Sequence, residues 1–325
     1  MKYIDLHCDT LMQAFLRQKR DIYSMPEMMI DLRRLKEGNA LAQFFAIFLP
    51  PQGAEKMIGT PLPTDDDYID ILVKILKNSI KEHPEYIGQA FHVNDLKENM
   101  KQGKISAFMT IEDGRSVDGK IEKLEEYYQK GIRLITLTWN TPNCFGYPNS
   151  LNADIMSRGL TTFGKEAVTY MEEIGIIIDV SHLSDGGFYD VARICKRPFV
   201  ASHSNCRELV DHPRNLTDDM IKILAERGGI VGVNFGAEFL NDKLGKKISR
   251  IEDIVEHISH LVKCGGEECA AIGTDFDGIS GDFEVGSPNK MELLFDALKK
   301  NGITERQIEL LAYKNTMRVM KEAFI

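Results

Sequence analysis

The sequence predicts a (β/α)8 TIM barrel in which the whole chain, residues 1–325, forms one domain. Short apolar or β-branched segments alternate with amphipathic helical stretches. Eight of these segments have the near-continuous apolar character of parallel strands that are buried on both faces. The length suits one large α/β barrel, and neither a repeat nor a change of composition divides the chain. A doubly wound open sheet is the alternative architecture.

The strands are predicted from their β-branched and apolar runs. The first comprises residues 3–6 and ends at the segment His7-Cys8-Asp9. In an extended segment His7 and Asp9 share one face while Cys8 points away, so an imidazole and a carboxylate could hold one divalent cation. The later strands are predicted at residues 42–49, 106–111, 132–138, 176–182, 198–203, 229–235 and 270–275.

The helices are predicted from 3.6-residue apolar spacing and from end signals. Ile69, Leu72 and Leu76 have that spacing, and Gly131 is typical of the end of a helix. Thr217 before two aspartates is typical of a helix start. Helices are predicted near 67–82, 120–130, 250–263, 290–300 and 304–322. Three more are predicted, of which one ends at 174, one ends at 195 and one begins after 217. The Asn-, Pro- and Gly-rich stretch from 141 to about 160 predicts a functional lid or binding loop.

Composition limits the partners and the compartment. The net charge of -9 and the pI near 5.5 argue against nucleic acid or an anionic membrane as the main partner. Six cysteines lack paired spacing, which indicates reduced thiols. The first residues run directly into a predicted strand, so we expect no leader, and no apolar run reaches about 18 residues. We therefore expect a soluble, cytoplasmic protein.

Polar residues that can bind metals lie at the carboxyl ends of the predicted strands. They are His7 and Asp9 after the first strand, Glu112 after the third, His182 on the fifth, His203 on the sixth and Asp275 on the eighth. In a barrel these ends meet at one rim, where active sites form. Histidines and carboxylates together favour Zn²⁺ or Mn²⁺.

The number of candidate ligands favours two metal ions. Five protein ligands are more than one catalytic zinc with an open position uses. Two ions about 3.5–4 Å apart, bridged by a carboxylate, would use them all, and Glu112 is the natural bridge. Such a pair activates water and polarises a carbonyl, which is the chemistry of amide hydrolysis.

Several segments match the motifs of one family in residue type and spacing. They are Glu112-Asp113-Gly114 to Gly131-Ile132-Arg133, Asp179-Val180-Ser181-His182, Ser202-His203-Ser204, Arg214-Asn215-Leu216, and Gly273-Thr274-Asp275-Phe276-Asp277-Gly278. With them the chain resembles, over essentially its whole length, the membrane dipeptidase (renal dipeptidase) family. These are binuclear zinc dipeptidases of peptidase family M19, within the amidohydrolase-like barrels.

The resemblance implies a ligand set and an activity. One metal would be held by His7, Asp9 and Glu112, and the second by Glu112, His182 and His203. Two Zn²⁺ per chain, or Mn²⁺ or another divalent cation, would supply a metal-bridging hydroxide that hydrolyses L,L- and L,D-dipeptides. The family often forms dimers, so a homodimer is compatible with the resemblance.

The resemblance also implies substrate-binding roles. Arg214 would pair with the substrate carboxylate, which a guanidinium fork suits. Asp275, rather than Asp277, would bind the free amine and pass a proton to the leaving nitrogen. One position departs from the renal enzyme: Trp139 stands where the family has a histidine that steadies the oxyanion. The amide of Asn140 could donate there instead.

Together the residues and the resemblance predict a zinc-dependent dipeptidase with Glu112 and Asp275 as catalytic residues. Two alternatives stay open. The same metal centre could hydrolyse another amide or a lactone, with which the Trp139 departure is consistent. A metal-binding barrel without activity is the other.

Overall fold

The computed structural model describes residues 1–51, 53–55, 59–241 and 248–324, and its centre is a closed barrel of eight parallel strands. The strand order is β2-β1-β8-β7-β6-β5-β4-β3, and β2 also pairs with β3 from Ala42↔Ser106 to Phe48↔Glu112. This pairing closes the sheet, so the (β/α)8 prediction is confirmed and the open sheet is wrong. The strands are β1 (Tyr3–Cys8), β2 (Ala40–Phe48), β3 (Ile105–Glu112), β4 (Ile132–Thr136), β5 (Ile177–Asp179), β6 (Val200–Ala201), β7 (Ile230–Val233) and β8 (Ala270–Ile272).

Helices surround the barrel. They are Thr10–Leu16, Leu32–Glu37, Asp65–Glu82, Val93–Lys101, Glu122–Lys130, Ala153–Met156, Thr162–Ile174, Asp185–Ile194, Asp218–Glu226, Ala237–Leu240, Ile251–Gly265, Met291–Lys300, Glu305–Glu309 and Asn315–Ala323, with 3-10 turns at Gly114–Val117 and Pro288–Lys290. A π-helical segment, Leu310–Lys314, interrupts the last predicted helix. Within the described residues, no helix is both long enough and apolar enough to cross a membrane.

Local end signals place the predicted helices correctly. The Thr217 hydroxyl accepts a hydrogen bond from the Met220 N–H at 3.2 Å, so Thr217 caps the helix Asp218–Glu226. Gly131 has a φ of 102° and ends the helix Glu122–Lys130, a left-handed conformation that glycine adopts without strain. The sequence did not predict the short strand Ile87–Gln89, which pairs with the start of β3, or the helix Val93–Lys101.

Several strands end earlier than predicted, and a buried carboxylate explains the clearest case. The fifth strand was predicted to run to His182, but β5 ends at Asp179. The Asp179 carboxylate accepts hydrogen bonds from the backbone N–H groups of Ser181 at 2.9 Å and Ser202 at 2.8 Å. Because a side chain takes these donors in place of a neighbouring strand, the ladder stops and the following residues are free to turn.

The barrel interior is apolar at its N-terminal end. Inward-facing side chains such as Phe44 and Phe108 are buried there, and their rings stack with centroids 4.8 Å apart. Phe324 from the end of the chain stacks on Phe108 at 5.9 Å and covers this end. With this end filled by apolar side chains, the polar residues are left to the opposite rim.

Outside the barrel, buried His257 makes the structure sensitive to acid. Its Nδ1 accepts from the Cys206 N–H and its Nε2 donates to the Leu240 carbonyl, both at 3.1 Å, which requires a neutral ring. Burial lowers the pKa of His257 to about 4. The unfolded chain, with a pKa near 6.5, therefore takes up this proton first as the pH falls.

We expect His257 to contribute stability that is fully present above about pH 6.5 and is lost progressively towards pH 4. The loss amounts to about 3 kcal/mol, since each unit of pKa shift corresponds to about 1.4 kcal/mol. Urea unfolding at several pH values measures it. In His257→Gln the slope of the free energy of unfolding against pH, between pH 6.5 and 4, should fall by the equivalent of about one bound proton. The same change at half-exposed His92 is the control, and an equal fall there would contradict the assignment.

Candidate active site

The rim at the carboxyl ends of the strands brings the predicted ligands together. His7 lies on β1 and Glu112 is the last residue of β3, whereas the other candidates lie in loops just beyond their strands. Asp9 was predicted to continue the first strand, but it precedes the helix Thr10–Leu16 with a φ of -101°. Its carboxylate still reaches the rim, and Oδ2 lies 3.6 Å from His7 Nε2.

Glu112 stands between two sets of candidate ligands. Its Oε2 lies 3.4 Å from His7 Nε2, on the side of Asp9. Its Oε1 lies 3.1 Å from His182 Nε2 and 3.5 Å from His203 Nε2. Each carboxylate oxygen therefore faces its own group of donors, which is the arrangement of a carboxylate that can bridge two cations.

Buried atoms without hydrogen-bond partners indicate that the residues present fit a metal ion. Among the described residues, both ring nitrogens of His7 and the Oδ1 of Asp9 are buried without such a partner. A buried polar atom left unpaired is costly, and a bound ion is one of the ordinary ways in which such an atom is satisfied. Imidazole nitrogens and carboxylate oxygens are ligands that Zn²⁺ and Mn²⁺ accept.

The charges of the rim are strongly coupled. Burial lowers the pKa of His7, but Glu112 and Asp9 outweigh burial and raise it well above its ordinary value. Burial raises the pKa of Glu112, but His7, His182 and His203 hold it well below its usual range. Burial and the nearby Glu112 raise the pKa of Asp9 to about 6.

The other two histidines are neutral in this environment. Burial, together with the nearby Arg214, lowers the pKa of His182 to about 4. Burial and the charge of His7 lower the pKa of His203 well below its ordinary value. A neutral imidazole has a free lone pair, which is the form that binds a cation.

Comparison with known proteins shows to which family the chain belongs. The family model described as membrane dipeptidase (peptidase family M19) matches residues 1–324. The chain belongs to this family. It is accordingly a metallo-dipeptidase, a hydrolase that acts on peptide bonds, and the predicted resemblance is confirmed.

Individual relatives support the same family assignment. An uncharacterized dipeptidase of Schizosaccharomyces pombe is 29% identical over 335 residues, with 99% of this chain and 80% of the relative covered. An uncharacterized protein in the pqqA 5' region of Klebsiella pneumoniae is 33% identical over 269 residues, with 79% and 98% covered. The structure of dipeptidase AC, a metallopeptidase of family M19, has a TM-score of 0.88 and 25% identity, with 100% and 99% covered.

A further solved structure supports the fold. It is a metallopeptidase from Rhodobacter sphaeroides, liganded with a phosphinate mimic of the dipeptide L-Ala-D-Ala. It matches with a TM-score of 0.89 at 24% identity, and the match covers 100% of this chain and 99% of that one. The two chains therefore share the closed barrel over their whole length.

In this dipeptidase a buried chain of hydrogen bonds orients His203. The Asp179 carboxylate accepts from the Ser202 hydroxyl at 2.5 Å, and that hydroxyl lies 2.7 Å from His203 Nδ1. When Ser202 donates to Asp179, its oxygen accepts the Nδ1 proton, so Nε2 keeps a lone pair directed at Glu112. The sequence predicted no role for Asp179 or Ser202, although both lie within the matched motifs.

We expect Asp179→Asn to weaken metal binding by about 10–100-fold, the range for partners that orient a ligand. An amide nitrogen in place of Oδ2 would donate to Ser202, which would then donate to His203 Nδ1 and put the ring proton on Nε2. Competition with a chelator measures the affinity, and ¹⁵N NMR of the ring reports the proton's position. Asp190→Asn, at a buried carboxylate that accepts from the Leu160 N–H, is the control. If the metal affinity and the tautomer of His203 are both unchanged in Asp179→Asn, the hydrogen-bond chain does not orient His203.

Asn140 has a contact that the sequence did not predict. Its Oδ1 lies 3.0 Å from His182 Nδ1, so it accepts the ring proton and orients His182 Nε2 towards Glu112. Asn149, in the long loop after β4, donates to the His182 carbonyl through its backbone at 2.7 Å and its side chain at 3.0 Å. His182 itself has a left-handed φ of 67°, a strained conformation for a non-glycine residue that these contacts help to hold.

Asp275 lies between the candidate ligands and Asn234. Its Oδ1 is 3.9 Å from His7 Nε2, and its Oδ2 accepts from the Asn234 amide at 2.8 Å. Burial, with the nearby charges of Asp9 and Glu112, raises the pKa of Asp275 to about 8. Cations bound between these carboxylates would lower such pKa values. By contrast, Asp277 accepts from Thr10 Oγ1 and from backbone N–H groups, which tie loops together.

Arg214 is buried beside the ligands. Its guanidinium donates to the His203 carbonyl at 3.0 Å and to Ser204 Oγ at 3.2 Å, and it lies 5.6 Å from the centre of the Phe239 ring. Within the described residues its Nε has no hydrogen-bond partner. Arg214 thus lies beside Phe239, and its Nε–H is left without an acceptor among the described residues.

The cavity above the ligands has a volume of about 330 Å³. Glu112, His182 and Asp275 lie on its floor, and apolar side chains form most of its wall. The Trp139 ring packs edge-on against Phe48 at 5.0 Å, so it is a fixed part of that wall. The wall includes Met12, Leu16, Phe48, Trp139, Phe239 and Ile279.

Proposed function

We propose that this dipeptidase holds two zinc ions, or two manganese or similar divalent cations, bridged by Glu112. His7 and Asp9 would complete one ligand set, and His182 and His203 the other. One observation carries the proposal: the two oxygens of Glu112 face different histidines, Oε2 at 3.4 Å from His7 and Oε1 at 3.1 Å from His182. The unpartnered ring nitrogens of His7 support it independently.

The chain's own residues would bind and orient the substrate. When bound, the cations would polarise the peptide carbonyl and lower the pKa of a water molecule. Asp275, on the cavity floor, would accept a hydrogen bond from the free amine and pass a proton to the leaving nitrogen. Arg214 would pair with the substrate carboxylate through its unused Nε after a small movement of Phe239.

The substrates proposed are L,L- and L,D-dipeptides with apolar side chains. The wall of the cavity is mostly apolar, and apolar side chains give up no hydrogen bonds to water when they pack against it. Its volume of about 330 Å³ is at the small end of the range for ligand pockets, which suits two residues. Acceptance of a D-residue is carried over from the family resemblance.

Three further parts of the proposal rest on the sequence. Residues 1–325 would act as one domain, which the match of the family model to residues 1–324 supports. A cytoplasmic location follows from the composition. A homodimer follows from the resemblance.

Metal analysis combined with a dipeptide panel tests the proposed function. We expect about two zinc ions per chain after loading, and hydrolysis of L,L- and L,D-dipeptides that is fastest for apolar side chains. Tripeptides of the same residues should be poor substrates, because Arg214 would meet no carboxylate at the required distance. Two bound ions without turnover of any dipeptide would instead favour another amide or a lactone as the substrate. Trp139, which packs against Phe48 in the wall and replaces the family's histidine, is consistent with that alternative. A protein that binds no metal after loading would refute the proposal.

A further inference from the structure

A second group of metal-binding side chains lies on the outside of the barrel. Asp218 is the first residue of the helix Asp218–Glu226, while His260 and Cys264 lie on the neighbouring helix Ile251–Gly265. The ligand atoms of the three side chains all lie within 4.8 Å of one another. None of the three lines the cavity above Glu112, so this group is separate from the site described above.

The spacing of these residues follows from helix geometry. His260 and Cys264 are four residues apart, which places them one turn apart on the same face of their helix. The Thr217 cap fixes the start of the other helix and so fixes the position of Asp218. His260 Nε2 lies 2.7 Å from Asp218 Oδ1, and the Cys264 Sγ lies within 4.8 Å of a ligand atom of each of them. An imidazole and a thiol thus lie beside one carboxylate at a partly buried site.

A cation could take the place of the protons between the side chains of Asp218, His260 and Cys264. Imidazole nitrogen, thiolate sulfur and carboxylate oxygen are the three ligand types of zinc sites, and water commonly completes a tetrahedral set. The thiolate selects borderline or soft metals over magnesium and calcium. Burial raises the pKa of the Cys264 thiol, so metal binding must displace its proton. The charges of Lys222 and Lys263 act in the opposite direction and favour the thiolate.

We propose that Asp218, His260 and Cys264 bind one divalent cation of the zinc class, independently of the centre at the barrel rim. The cation would cross-link the helices that precede β7 and β8 on the outside of the barrel. Because it would bind only the folded chain at this spacing, it would raise thermal stability, and the gain would grow with the logarithm of the free metal concentration above the Kd. It would leave dipeptide hydrolysis unchanged, since it touches none of the residues around the cavity.

A cadmium titration of enzyme that keeps only the two zinc ions of the rim, after excess zinc has been dialysed away, tests this site with a signal that the rim cannot give. Sulfur-to-metal charge transfer produces an ultraviolet band only when a thiolate binds the metal, and the rim candidates carry nitrogen and oxygen alone. We expect a band that saturates at about one Cd²⁺ per chain and that added Zn²⁺ removes. Cys264→Ser should abolish it, and His260→Gln should weaken the apparent affinity at least about tenfold, because one of three protein ligands is lost.

Matched controls separate this site from other thiols and from misfolding. Cys144→Ser, at another partly buried cysteine, should keep the band. Circular dichroism and dipeptide turnover should be unchanged in Cys264→Ser, and the further gain in melting temperature when Zn²⁺ is added to enzyme that already holds the two rim ions should disappear. A band that persists in Cys264→Ser, no band at all, or saturation only at millimolar Cd²⁺ would each overturn the proposal. Because hydrolysis is measured in the same samples, failure here is distinguishable from failure of the proposed function.

Discussion

Glu112→Gln is expected to lower kcat/KM for dipeptides by about 10³-fold or more and to reduce the bound metal well below that of the wild type. A neutral amide offers one oxygen where the carboxylate offers two, and that oxygen cannot face both His7 and His182. A cation supplies several kcal/mol of transition-state stabilisation, and each 1.4 kcal/mol corresponds to a factor of ten in rate. Plasma emission and steady-state kinetics on the same preparation measure the two losses together.

A second buried carboxylate separates metal loss from structural damage. Asp277→Asn removes a charge close to the rim, but Asp277 accepts hydrogen bonds from Thr10 and Met29 and, among the described residues, forms no ion pair with a histidine. We expect it to lower the free energy of unfolding by about 1–3 kcal/mol while the folded protein still binds metal. Near-normal metal content and turnover in Glu112→Gln would rule out a bridging role for Glu112.

Gly278→Ala is the second substitution with a large expected effect, although it adds only one methyl group. A Cβ at Gly278 would lie 2.5 Å from Asp275 Oδ1 and closer still to Asp9 Oδ2. Both carboxylates would have to move from their positions beside His7. Because a misplacement of about 1 Å at reacting groups can cost 10²-fold in rate, we expect kcat/KM to fall by at least that factor, together with lower metal affinity.

The matched control for this glycine is Gly146→Ala. A Cβ at Gly146 would come no closer than 3.4 Å to Leu160, which is ordinary van der Waals contact, so turnover and stability should change little. The melting temperature of Gly278→Ala should stay within a few degrees of the wild type, since the clash involves site carboxylates rather than the apolar core. An active Gly278→Ala enzyme with normal metal content would mean that Asp9 and Asp275 are not required where they stand.

Local patterns were sufficient for the barrel and for its rim. Apolar strands and 3.6-residue helices follow from neighbouring residues, and the rule that parallel strand ends converge brought His7, Glu112 and His203 to one place. The helix Val93–Lys101 was missed because its apolar face is narrow: among its nine residues only Val93 and Leu96 are buried. The strand Ile87–Gln89 is too short to give an alternating pattern.

The backbone around the site could not be predicted in the same way. The sequence placed His182 and Asp275 on strands, whereas both have left-handed backbone, with φ values of 67° and 61°. Propensity disfavours that conformation for residues other than glycine, and only contacts from distant loops hold it, such as that of Asn149 to the His182 carbonyl.

The sequence by itself determined the fold class, the family and the identity of the candidate ligands, because these depend on residue type and on spacing along the chain. Only the tertiary structure decided which atoms meet. It gave each oxygen of Glu112 its own histidines, made Asp179 and Ser202 the partners of His203, and brought Asp218 to His260. Asp179 and Ser202 are 23 residues apart, and Asp218 and His260 are 42 apart. Hydrogen bonds form over about 3 Å, so no pattern along the chain can report such contacts until folding has brought the residues together.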